Sequence, residues 1–151
     1  MIDPDVLLGN LLTVLRDIPA LVALLGNSSS NITSYSPTYP TKVDLASATR
    51  KVNPPGILLA WMGTTIGDRS NGIEHNYSAF LVPNGKVAPV FAALREGVVT
   101  TGGEKFKRTC VTANVHPTDV RGCFPRQFLI GEAIYEYFEI PLRITERGVD
   151  S

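Results

Sequence analysis

A chain of 151 residues is close to the commonest size of one folding domain, with room for a real core and little room for two, so 1–151 is expected as a single unit. Its 14 Lys and Arg balance 14 Asp and Glu, which removes any general field for nucleic acid or an anionic membrane, and 44% hydrophobic with 19% charged residues is globular rather than disordered composition. Apolar runs such as Ile57 to Met62 fall well short of the roughly 20 residues that cross a bilayer, and the acidic start Asp3-Pro4-Asp5 is unlike a secretory signal, so a cytoplasmic protein is expected.

Asp3-Pro4-Asp5 combines a capping carboxylate, a proline tolerated in the first turn and negative charge at the positive end of the macrodipole. A helix is predicted from Pro4 to Arg16, with Val6, Leu7, Leu11, Val14 and Leu15 as its apolar face. Pro19 interrupts the pattern, Ala20 to Leu25 continues it, and Gly26-Asn27 caps it. Ile32 to Tyr35 reads as a short edge strand and Leu45 to Val52 as a short helix, ended by Asn53-Pro54-Pro55. Ile57 to Met62 is apolar at every position, the pattern of a strand covered on both faces or abutting another subunit.

Gly63 to Gly72 is polar and turn-rich, and a strand follows from Ile73 to Val82, so the two strands form a hairpin with a long tip at 63–72. Pro83-Asn84-Gly85 ends the strand. Val87 to Glu96 places Val90, Phe91 and Leu94 on one side of a helix that Gly97 closes. From 100 to 127 the chain reads as a long excursion, with a basic trio at Lys105, Lys107 and Arg108 and strand composition from Thr109 to Val115. Finally Phe138, Ile140, Leu142 and Ile144 alternate with Glu139, Pro141, Arg143 and Thr145, a strand with one core face. Pro141 places that strand at a sheet edge or gives it an unpaired donor position. These elements predict an α+β fold, an antiparallel or mixed sheet of about four strands with helices packed mainly on one face.

No catalytic constellation is legible. GxSxG, HExxH and phosphate-cradling glycine motifs are absent, and His75 falls in a strand pattern while His116 precedes Pro117. Cys110 and Cys123 lack CxxC spacing and are expected as free thiols; a pairing of either with His116 is the one nucleophilic arrangement left open. No metal and no cofactor is implied. Asn31-Ile32-Thr33 and Asn76-Tyr77-Ser78 match glycosylation sequons that carry no meaning in a cytoplasmic protein. Trp61, Tyr77, Phe80, Tyr135, Tyr137 and Phe138 lie in or near strands and are either core or contact surface.

In its order of elements the chain resembles the tail terminator and tail completion proteins of tailed bacteriophages. The likeness is carried by the N-terminal helix followed by Ile18-Pro19-Ala20, by Asn53-Pro54-Pro55 before Ile57 to Met62, and by the glycine-flanked hairpin tip. It extends through His75-Asn76-Tyr77 to the closing Tyr135-Glu136-Tyr137-Phe138-Glu139-Ile140 and Glu146-Arg147-Gly148. The stretch from Thr100 to Gln127 departs from the smallest members. The resemblance implies a structural virion protein rather than an enzyme, assembled in the host cytoplasm as a homo-oligomeric, usually hexameric ring that caps the tail tube and meets the head connector. It implies no membrane partner and no sequence-specific nucleic acid, with room for the genome to pass through the ring. The contact candidates are Asp68, Arg69 and Asn71 at the hairpin tip and Lys105, Lys107 and Arg108 in the excursion. Another neck protein, such as a stopper or head-completion subunit, and a small enzyme of unrecognised type are the alternatives.

Overall fold

The computed structural model describes residues 2–35, 42–66, 72–102 and 119–146. Asp3 caps helix α1 (Pro4–Arg16) through its carboxylate, which accepts the Asp5 backbone N–H at 2.9 Å. The buried stripe is Leu7, Leu8, Leu11, Val14 and Leu15, whereas Val6 is 53% exposed. At about 100° per residue, Leu7, Leu11, Val14 and Leu15 already define an arc that Leu8 extends and that leaves Val6 roughly 140° from its centre. Pro19 starts α2 (Pro19–Leu24), and Gly26 and Asn27 take the left-handed conformation, at φ 74° and 57°, that ends it.

Strand β1 (Ile32–Ser34) is the expected edge strand, and it runs parallel to β2 (Gly56–Ile66) through the crossover helix α3 (Lys42–Arg50). The β2 strand pairs antiparallel with β3 (Ile73–Val82) beyond the end foreseen at Met62. A bulge between Trp61 and Gly63 leaves Met62 as the extra residue, after which Gly63, Thr64, Thr65 and Ile66 continue the ladder. Residues 63–66 therefore belong to the sheet and not to the tip.

Helix α4 (Val87–Glu96) has the expected bounds, but Gly97 is not a left-handed cap. It keeps helical angles of φ −66° and ψ −35°, and the chain winds on through a π-helical turn to Gly102. Glycine is needed there for space: a Cβ at Gly97 would lie 2.6 Å from the Ile18 side chain. Gly97→Ala is accordingly expected to destabilise the fold by about 1–3 kcal/mol, read as a lower urea midpoint at unchanged m-value. A midpoint equal to wild type would mean that the contact between Gly97 and Ile18 is looser than described.

Two strands arise where an excursion was expected, β4 (Asp119–Val120) inside it and β5 (Phe124–Ile130) running past its end at Gln127, both antiparallel to β6 (Ala133–Glu146). The sheet is thus mixed and open, six strands in the order β1-β2-β3-β6, with β4 and β5 both lying along the far side of β6. The Thr109–Val115 segment lies outside the described residues. Pro141 does not mark an edge, because β6 pairs on both sides. Its carbonyl accepts the Arg121 N–H at 3.0 Å on the β4/β5 side, so its missing donor also faces that side, at the break between β4 and β5. The bond forgone is only the reciprocal one to Arg121, where the β4 pairing ends.

Three helices, α1, α2 and α4, share one sheet face with Ile57, Leu59, Trp61, Tyr77, Leu81, Ile140, Leu142 and Ile144. The α3 side chains Leu45 and Ala48, with Val52 after it, cover Leu58, Ala60 and Phe80 on the other face. The apolar part of β2 is therefore covered on both sides from Ile57 to Trp61, whereas Met62 is exposed.

Candidate functional site

Asp68, Arg69 and Asn71 at the hairpin tip, and Lys105, Lys107 and Arg108 in the excursion, lie outside the described residues, as do Cys110 and His116. The described part of β2 ends on Ile66, 81% exposed, and the π-helical turn ends at Gly102.

Within the described residues, the structure assembles a buried polar line from residues far apart in sequence. The Trp61 indole N–H donates to Thr64 Oγ1 at 3.1 Å, and Thr64 Oγ1 lies 3.0 Å from His75 Nδ1. His75 Nε2 is 3.0 Å from Glu146 Oε2, and the Ile2 backbone N–H donates to both oxygens of that carboxylate at 3.1 Å. His75 is fully buried and Glu146 nearly so. Every group is satisfied when Nε2 carries the imidazole proton and the Thr64 hydroxyl donates to Nδ1. Sequence reasoning missed this line because its four side chains come from two hairpin strands and the last strand, with no motif spacing.

A hydroxyl, an imidazole and a carboxylate in sequence share the connectivity of a hydrolase triad, but a nucleophile must also face a substrate. Three clefts of about 180, 200 and 260 Å³ are all lined by other residues. Among the described residues, the line joins the chain start, β2, β3 and β6. It acts as a strut that locks the first residues and the last strand to the hairpin.

On the opposite face a second polar row laces the strands. Ser78 donates to Glu139 at 2.6 Å, Arg126 meets Glu139 at 3.0 Å, and Arg143 bridges Glu74 and Asp119 at 3.2 and 3.0 Å. The half-exposed pairs in it add little individually. Tyr137 stands beside this row, edge-on to Phe80 with ring centroids 5.6 Å apart. Burial, then the Glu139 carboxylate, push its phenol up, and Arg126 partly opposes them. The neutral phenol thus stabilises the fold below the ordinary tyrosine value of about 10, and that contribution is lost as pH rises through the raised value. Between pH 9 and 12 the wild-type urea midpoint is expected to fall more steeply than that of Tyr137→Phe; parallel profiles would refute the linkage.

Cys123 packs partly buried against the main core, and burial raises its thiol, the opposite of what an activated nucleophile requires. No group of three or more His, Cys, Asp or Glu side chains fit to hold a metal occurs among the described residues, nor any helix long and apolar enough to cross a membrane. No protein-family model matches this sequence, and no curated protein is significantly similar to it.

The aromatic residues sort by position. Trp61, Tyr77 and Phe80 are buried core, and Tyr135, Tyr137 and Phe138 are half-buried at the lower end of β6. Among the described residues, the most exposed large apolar side chains are the aliphatic Ile66, Leu129 and Ile134. Leu129 and Ile134, 68% and 64% exposed, lie directly opposite each other on β5 and β6. They belong to a two-stranded ribbon that runs on past Phe138, where the pairing of β6 with β3 ends. Its turn is Gly131-Glu132, with Gly131 at φ 61°, the tight-hairpin geometry that a residue without Cβ accommodates. The only sequence signal for the ribbon was that glycine between two apolar runs.

Proposed function

We propose that this chain is a structural subunit of a bacteriophage neck or tail, forming a ring, hexameric in the first instance, that terminates the tail tube and joins it to the head connector. The observation that supports the reading best is the β5–β6 ribbon, which runs on past the last β3–β6 pair at one end of the sheet. The β2 and β3 strands end, at Ile66 and Ile73, at the opposite end. A subunit so built can meet neighbours within a ring at one end and a stacked assembly at the other. The order of elements supports the same reading.

The test is the mass of the purified chain in solution with images of the particles. A closed ring with a central channel is the expected result; a monomer at every concentration, inactive in joining heads to tails in an assembly extract, sinks the reading. Charge reversal at Arg69 or at Lys107 is expected to block joining, and joining at the wild-type level would remove those residues as contacts. Co-purification with tail tube protein, as against the head connector alone, separates a terminator from another neck protein. An enzyme is a second reading with one observation in its favour, the Thr64–His75–Glu146 line.

A further inference from the structure

One face of the β5–β6 ribbon is held down and the other is bare. On the α3 side the Arg50 guanidinium sits 5.3 Å from the centre of the Tyr135 ring, and Arg50, Val52 and Pro54 line a cleft with Tyr135 and Tyr137. On the other face, which continues the core face of the sheet past the helices, Leu129 and Ile134 stand exposed beside the Gln127–Glu136 pair. Ile134 lies four residues past Phe138, about 14 Å beyond the last β3 pairing. A two-stranded ribbon with a bare apolar pair so far from its own core is marginal by itself.

The same sheet face carries an empty receptor. A groove of about 260 Å³ opens between the end of α2, the start of β2 and the start of α4, lined by Ala23, Leu24, Pro55, Pro83 and Val90, with Lys86 also on its wall. No ribbon residue lines it, so the ribbon does not fill its own groove. The two surfaces are complementary: an aliphatic pair flanked by Glu132 and Glu136 on one, a slot of apolar and polar residues with a lysine on the other. A ribbon and a groove at different places on one subunit make a heterologous contact, which repeats head to tail and closes into a ring when the rotation allows.

We infer that the β5–β6 ribbon of each subunit docks Leu129 and Ile134 into the groove between α2 and α4 of a second copy of this chain. This rests on the ring reading, for which it supplies the subunit contact. Charge at the rim sets orientation, with Glu132 and Glu136 facing Lys86.

A photoreactive benzophenone side chain in place of Ile134 tests it, on a mixture of light and heavy-isotope full-length chains. Adducts are expected between chains, on residues 23–26 and 83–90. Leu129→Ser with Ile134→Ser is expected to abolish the oligomer while the circular dichroism stays that of the wild type. Lys86→Glu is expected to weaken assembly, and Glu132→Lys with Glu136→Lys to restore it. Adducts from ribbon to ribbon or to β1, or an oligomer that persists in the double serine variant, overturn the docking and leave the ring reading standing. A wild-type chain that is monomeric at every concentration overturns both.

Discussion

Tyr77→Ala is expected to lower the unfolding free energy by about 3–5 kcal/mol, the range for removing a large buried aromatic side chain. Tyr77 is 1% exposed at the centre of the main core, between Trp61 on β2 and Leu142 on β6 in the register of the sheet. Its hydroxyl reaches past the sheet to donate to the Pro4 carbonyl at 2.7 Å, at the first turn of α1. Truncation therefore opens a cavity and also removes a hydrogen bond that ties the N-terminal helix to the strands. Tyr77→Phe keeps the ring and is expected to lose only about 1–2 kcal/mol. Chemical denaturation of the three proteins checks the ranking; equal losses for Phe and Ala would mean that the hydroxyl contact, not packing, carries the site.

His75→Ala is expected to cost about 3 kcal/mol, because it leaves the Glu146 carboxylate and the Thr64 hydroxyl without their shared partner in a buried place. The loss should be coupled to Glu146: in a double-mutant cycle with Glu146→Gln, the two changes together should destabilise less than their sum. Hydrogen exchange offers a second readout, since the Ile2 and Glu146 ends of the chain should lose protection together. A loss under about 1 kcal/mol with additive effects would remove the strut. A variant that stays folded and assembled but loses a hydrolytic turnover would instead favour the enzyme reading.

Much of the chain could be read one element at a time. The bounds of α1 at Pro4 and Arg16, of β3 at Ile73 and Val82, and of α4 at Val87 and Glu96 match the expected ones. Their signals are local: a capping carboxylate, prolines, a Pro-Asn-Gly stop. Where a local signal was ambiguous, packing decided. Gly97 reads as a cap by type, yet it is a spacer against Ile18. Val6 and Leu8 flank the same stripe of α1, and only the latter faces the sheet. The site fared less well, because the contact candidates fall outside the described residues. The surfaces that are described, the ribbon and the groove, draw on residues the sequence did not single out.

The amino-acid order by itself determined an α+β chain with capped helices, a hairpin from β2 to β3, and a last strand with one core face. Caps, turns and alternation act within a few residues, so they are legible wherever those residues are. Only the tertiary structure decided that β6 runs through the sheet rather than along its edge, that β5 folds back on it as a projecting ribbon, and that α3 closes the second face of β2. Only it decided, too, that His75 meets Glu146, 71 residues away. Such pairings depend on which apolar faces are buried together, and a side chain's own neighbours in sequence carry no record of that choice.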